Sequence, residues 1–100
     1  MKEIWKKFPY EGFEEFEISN LGNVRKISYP KIWYNERGYY MISVLGKNMR
    51  VHRVVADAFI PNPDGLETVD HIDNDKNNNT VENLQWMSRI DNLKKGSKVD

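Results

Sequence analysis

Apolar and polar residues alternate through Glu15-Phe16-Glu17-Ile18 and again through Val24-Arg25-Lys26-Ile27, with Ser19-Asn20-Leu21-Gly22-Asn23 between them. A period of two on either side of a polar, Gly-containing stretch predicts a β-hairpin. The pattern then repeats: Lys31 to Tyr34 extended, Asn35-Glu36-Arg37-Gly38 turning, Tyr39 to Leu45 extended, Gly46-Lys47-Asn48 turning, Met49 to Val51 extended. The first half is therefore expected to be antiparallel β. Val51, Val54, Val55, Ala58 and Phe59 next recur at helical spacing, and Pro61 and Pro63 cannot continue a helix, so a helix is expected from about Val51 to Phe59.

The period shortens once more at Val69-Asp70-His71-Ile72-Asp73, a short strand candidate. The run Asn74-Asp75-Lys76-Asn77-Asn78-Asn79-Thr80 is too polar and turn-prone to be anything but a loop. Asn83 to Met87 can extend again, and Ser88 is a suitable N-cap for a last helix from Arg89 to about Lys95, ahead of Gly96. The fold class is therefore α+β.

Length and composition narrow the picture. One hundred residues with 39% apolar content suit one core and one compact unit. With no cysteine there is neither a disulfide framework nor a Cys-ligated zinc. The longest apolar run falls far below the roughly 20 residues that cross a bilayer, and the stretch from Met1 to Phe16 lacks the apolar segment of a signal peptide. A cytoplasmic protein with no membrane partner is expected.

Fifteen basic residues cancel fifteen acidic ones, but their distribution is uneven. From Ile18 to Arg53 there are seven cations, Arg25, Lys26, Lys31, Arg37, Lys47, Arg50 and Arg53, against the single acid Glu36. From Val54 to Leu93 eight acids face only Lys76 and Arg89. A basic half joined to an acidic half suits a protein that holds a phosphate backbone with one part and a divalent cation with the other. Trp33, Tyr34, Tyr39 and Tyr40 lie in the basic half, where aromatic rings can stack on sugars or bases while cations hold phosphates.

The candidate chemistry sits in the acidic half. Asp70 and His71 are adjacent at the end of a predicted strand, where the backbone can bend and let both serve one site. Asp73, Asn74, Asp75, Asn77, Asn78, Asn79, Asn83 and Asn92 add hard oxygen donors, a mixture suited to Mg²⁺ or Mn²⁺ and nearly as well to Ca²⁺. The spacing is not that of a helix-loop-helix calcium loop.

Asp70-His71, then Asp73 and the Asn-rich loop, then Glu82-Asn83-Leu84-Gln85-Trp86, then Asn92 closely resemble the His-Asn-His (HNH) nucleases, in the branch of phage and intron-encoded homing endonucleases. Upstream, Trp5, Gly12-Phe13-Glu14, Phe16 to Asn20 and Gly22-Asn23-Val24 resemble the nuclease-associated modular domain that precedes this branch, and Val51 to Pro63 resembles the joining helix. The resemblance implies a β-rich DNA-binding region over residues 1–50 and a ββα-metal nuclease region over 51–100. It implies that Asp70 and Asn92 ligate one divalent metal, that His71 is the general base, and that Asn83 braces the loop and orients His71. The position of Asn92 is often His in the family, and an amide oxygen favours Mg²⁺ or Mn²⁺ over Zn²⁺ or Ni²⁺. Arg25, Lys26, Lys31, Arg37, Arg50 and Arg53 are the expected contacts to double-stranded DNA, whereas His52 is expected to pack or to touch phosphate.

The expected activity is metal-dependent hydrolysis of a phosphodiester in a phage-infected or bacterial cell. One site would nick one strand, and a double-strand cut would need a second copy. There is no room before Asp100 for the helix-turn-helix that homing enzymes often append, so specificity is expected to be modest or supplied by a partner protein. Two other readings stay open: a catalytically inactive HNH-fold DNA-binding accessory or regulator, and a metal-binding interaction protein. The last leaves the clustered cations without a purpose.

Overall fold

The computed structural model describes residues 2–25 and 31–96. Three small antiparallel sheets surround one helix. The first sheet comprises β1 (Trp5–Lys7), β2 (Glu17–Ser19) and β3 (Val24–Arg25), with β2 in the middle and Ile18 opposite both Lys6 and Val24. The second comprises β4 (Lys31–Tyr34), β5 (Tyr40–Val44) and β6 (Lys47–Arg50), again in chain order. Helix α1 (Val51–Phe59) follows at once; the chain then forms β7 (Thr68–His71), a 3₁₀ turn (Val81–Asn83), β8 (Leu84–Met87) and α2 (Arg89–Lys94).

Helix α1 organises the molecule because its apolar spacing gives it a wide buried stripe. Val51, Val54, Val55 and Ala56 are fully enclosed and meet Ile18 from the first sheet, Ile42 and Val44 from the second, and Val69 and Leu84 from the third. Phe8 and Phe16 close the same core, with Tyr10, Phe13, Phe59 and Trp86 half-buried at its margin. Each fully buried Val or Ile contributes roughly 1.5–3 kcal/mol. Residues from both halves of the chain thus fill one shared interior. The helix lacks a side-chain cap at Arg50 and ends where the Ile60 N–H reaches the Ala56 carbonyl, one residue before Pro61.

One strand has no counterpart in the sequence pattern, and two local expectations need correction. Strand β1 follows Met1-Lys2-Glu3-Ile4, and its Trp5-Lys6-Lys7 run carries no alternation; pairing with β2 makes it a strand. The turn expected at Gly46-Lys47-Asn48 is instead the two-residue turn Leu45-Gly46, since Val44 pairs with Lys47. Both turn residues have positive φ, 48° and 77°, as the tight turn that matches strand twist requires. Val51 begins the helix and is not the end of a strand. Lys26 and Ile27 lie outside the described residues. No described helix is long and apolar enough to cross a membrane.

Leu45 is exposed, and its positive φ is strained for a branched side chain. Leu45→Asn, which creates an Asn-Gly turn, is expected to raise the denaturation midpoint by the equivalent of about 0.5–1 kcal/mol in urea melts, with an unchanged slope.

Candidate active site

Strands β7 and β8 pair with Asp70 opposite Gln85 and His71 opposite Leu84, and α2 folds back beside β7. The register explains how Asp70 is held. Its carboxylate is almost wholly buried, and Oδ2 accepts a hydrogen bond from Gln85 Nε2 at 2.9 Å and one from Lys95 Nζ at 2.6 Å. The Lys95 ammonium also donates to the carbonyls of His71 and Ile72, at 3.1 and 3.3 Å.

Asn92 stands on α2, whose start is fixed by the Ser88 hydroxyl accepting from the Asp91 N–H. It is buried, and its Nδ2 donates to Thr68 Oγ1 at 3.1 Å, while that hydroxyl donates to the Met87 carbonyl. Its amide oxygen Oδ1 is buried and, among the described residues, meets no hydrogen-bond donor. A buried acceptor without a donor is costly, and it is the pattern expected of a group awaiting a cation. Asp70, His71 and Asn92 line one open concavity of about 400 Å³ together with Arg37, Tyr39, Lys76 and Lys95.

His71 Nε2 lies 2.8 Å from Asn79 Oδ1. An amide oxygen accepts, so Nε2 carries the hydrogen and Nδ1 keeps its lone pair. The His52 ring packs 4.7 Å from the His71 ring, and Tyr39 stacks on His52 at 5.0 Å and 15°. Burial, with the charges of His71, Arg50 and Arg53 adding to it, pushes His52 down to about 3. His52 is therefore a neutral packing plate against His71.

The loop that supplies Asn79 spends its acids on itself. Asp73 accepts from the Asp75 N–H, from Asn78 Nδ2 and from Asn83 Nδ2, and these bonds, Asn78 first, hold its carboxyl below the usual range. Asp75 accepts from the Asn77 N–H. These side chains build the loop rather than offering an open cage, which corrects the broad oxygen-donor set expected from composition. Among the described residues, no three His, Cys, Asp or Glu side chains cluster as a metal cage.

The loop is also clamped from outside. Asn20 accepts at its carbonyl from the Val81 N–H at 2.7 Å, and a Cβ on Gly22 would stand 2.9 Å from Asn79 Cβ and 3.0 Å from its carbonyl oxygen. On the far side Lys76 donates to the Arg37 carbonyl and lies over the Tyr39 ring.

Two family models match the chain: a NUMOD4 motif over residues 3–54 and an HNH endonuclease over residues 49–94. The HNH endonuclease L247 of Acanthamoeba polyphaga mimivirus, itself uncharacterized, is 39% identical over 91% of this chain and 25% of its own length. The DNA endonuclease I-HmuI of Bacillus phage SP01 is 34% identical over 89% of this chain and 55% of its own. A solved structure of the HNH homing endonuclease I-HmuI, which describes DNA binding and cleavage by that enzyme, aligns with a TM-score of 0.74 and 32% identity, covering 95% of this chain and 60% of the other. Residues 49–94 belong to the HNH endonuclease family and follow a NUMOD4 motif. The chain spans about a quarter of the mimivirus relative and somewhat over half of the phage one.

The HNH strand-loop-strand-helix brings Asp70, His71 and Asn92 together. Asn83 braces the loop, accepting from the Asp73 N–H and donating to Asp73 and to the Asn78 carbonyl, but the amide on His71 belongs to Asn79. Asn83 reaches His71 only through the loop it stiffens. Lys95 and Gln85 are site residues that spacing did not single out; pairing Gln85 with Asp70 follows once the hairpin register is known.

The expected DNA contacts separate. Arg37 lines the concavity of the site, while Arg50 and Arg53 line a neighbouring groove of about 550 Å³ that shares Tyr39, Val69 and Asn92 with it. Arg53 is held by the Glu67 carbonyl and lies over Trp86. Arg25 lines neither; it pairs with Glu17 at 2.7 Å and covers the Trp5 ring. Lys31 is in β4, and Lys26 lies outside the described residues.

Gly22→Ala is expected to lower stability by about 1–3 kcal/mol, because its φ of +84° and the Asn79 backbone both oppose a Cβ. In the His71 imidazole ¹⁵N spectrum of the same variant, loss of the single Nε2–H tautomer would show that the turn reaches His71. His52 gives a pH signature. Its folded value lies below the ordinary 6.5, so its contribution is complete above pH 6.5 and is lost as pH falls towards about 3. Across that window the wild type should lose about 1.4 kcal/mol per pH unit more than His52→Gln in denaturant melts.

Proposed function

We propose that this chain is a metal-dependent DNA endonuclease that hydrolyses one phosphodiester per site and nicks duplex DNA as a monomer. The observation that carries the reading is the convergence of Asp70, His71 and Asn92 on one open concavity, with His71 fixed by Asn79 so that Nδ1 is the basic nitrogen. I-HmuI, a DNA endonuclease, shares this architecture.

The side chains fit a small hard cation. One buried carboxylate and one donorless amide oxygen, Asn92 Oδ1, supply too few ligands for a protein cage, but they match Mg²⁺ or Mn²⁺, which keep waters and substrate phosphate in their remaining positions. Held by Asp70 and Asn92, such an ion supplies positive charge against the pentavalent phosphate and the departing 3′ oxygen. His71 takes the proton of the attacking water at Nδ1. As the ring becomes an imidazolium, its Nε2–H bond to Asn79 strengthens and holds the ring in place. Arg37 beside the site and Arg50 and Arg53 in the adjoining groove are placed to hold phosphates on either side of the cut. In this reading residues 1–50 position the duplex and residues 51–100 carry the chemistry.

Supercoiled plasmid incubated with wild type and His71→Ala in Mg²⁺, in Mn²⁺ and in EDTA tests the reading. Open circles are expected with either ion and not in EDTA, at a rate reduced by about 10²-fold or more in the variant. Linear product formed as fast as open circles would replace the monomeric nick by paired sites. No cleavage in any metal, with DNA still retarded on a gel, would overturn the enzyme and leave a DNA-binding protein.

A further inference from the structure

We infer that Lys95 is a built-in cation of the metal site, holding Asp70 in its working position when no metal is bound and competing with the metal when it arrives. The inference rests on the proposal that Asp70 and Asn92 hold a divalent ion. Three oxygens converge on one ammonium: Asp70 Oδ2 at 2.6 Å and the carbonyls of His71 and Ile72 at 3.1 and 3.3 Å. Lys95 follows α2 directly, three residues after Asn92, so the helix that brings one metal ligand also carries the ammonium to the other.

The physical need for such a group is plain. Asp70 is 3% exposed, and its neutral partner Gln85 does not balance a buried carboxylate. A lysine is suited to the task because its charge sits on a flexible stem that can swing away, and its head here is only partly enclosed. An arginine fork or a second buried helix cation would lock the carboxylate. Asn92 Oδ1, with no donor, receives nothing from Lys95, so the ammonium satisfies only one of the two proposed ligands. A divalent ion can satisfy both, and its larger charge can then displace the lysine from Asp70.

The test compares wild type, Lys95→Met and Lys95→Arg without DNA. Free Mn²⁺ is followed by electron paramagnetic resonance during titration, and melting is recorded in EDTA and in saturating Mn²⁺. Lys95→Met should bind Mn²⁺ about tenfold more tightly, since a competing charge is gone. Lys95→Arg, which keeps the competing charge, should show no such gain and should bind Mn²⁺ no more tightly than wild type. In EDTA the Met variant should melt about 5 °C or more below wild type, and Mn²⁺ should close that gap. A third readout needs no mutation: acetylation of the Lys95 amine in wild type, followed by mass spectrometry, should be slow in EDTA and several-fold faster with Mn²⁺ bound. Measurable Mn²⁺ binding that is equal in wild type and Lys95→Met, or Lys95 acetylation that is indifferent to Mn²⁺, would overturn the role of Lys95 while leaving the metal site intact. No Mn²⁺ binding by any of the three would overturn the metal site and the competition together.

Discussion

The turn between β2 and β3 rests directly on the backbone of Asn79, and much of the site depends on that contact. Gly22 allows the approach because it has no Cβ, and the carbonyl of Asn20 holds the Val81 N–H two residues further on. Asn20 is itself fixed, its side chain accepting from the Ile4 N–H and donating to the Lys2 carbonyl. The amide that selects the tautomer of His71 therefore hangs from a loop pinned by the N-terminal sheet. A loop this rich in Asn and Asp has many local hydrogen-bonding alternatives, and an external clamp selects one of them. The NUMOD4 motif thus helps to fix the loop whose Asn79 meets His71.

The same small interior holds apolar and polar burial side by side. Ile18, Ile42 and the α1 valines form a dry core, while Thr68, Asp70, His71, Asn79, Asn83 and Asn92 are also nearly inaccessible. Burying that many polar groups is tolerable only if each finds partners, and the pairing is close to complete: Thr68 to Met87, Asp70 to Gln85 and Lys95, His71 to Asn79, Asn83 to the loop. Asn92 Oδ1 stands out against that background, being a donorless side-chain oxygen in an otherwise satisfied network. In the proposed function that oxygen is the one left for the metal.

Much of this was legible in the amino-acid pattern. The period of α1 and the proline after it placed the helix to the residue, Ser88 marked the start of α2, and the polar run after Asp73 could only be a loop. Asp70, His71 and Asn92 were identified by spacing that resembles a known family, and the fold unites them. What was not legible depends on tertiary contact. Strand β1 exists because β2 offers it a partner. Asn79 is one of three consecutive asparagines, indistinguishable by type, and the clamp at Gly22 decides which of them faces His71. Asn83, the amide with the stronger sequence signature, works one step further back in the loop.

In the proposed mechanism His71 needs a neutral neighbour, and His52 is one. Two rings with centroids 4.7 Å apart repel if both are charged, so each proton placed on one makes a proton on the other harder to add. Burial removes the conflict by denying His52 its charge, and the Tyr39 face holds it flat. Asn79, bonded at Nε2, leaves Nδ1 as the nitrogen with the free lone pair. A phenylalanine could fill the same space without titrating. Histidine differs from it in adding a polar edge where His52 borders the groove lined by Arg50 and Arg53. The plate that packs on His71 therefore also forms part of the groove that the proposed function assigns to the adjoining phosphates.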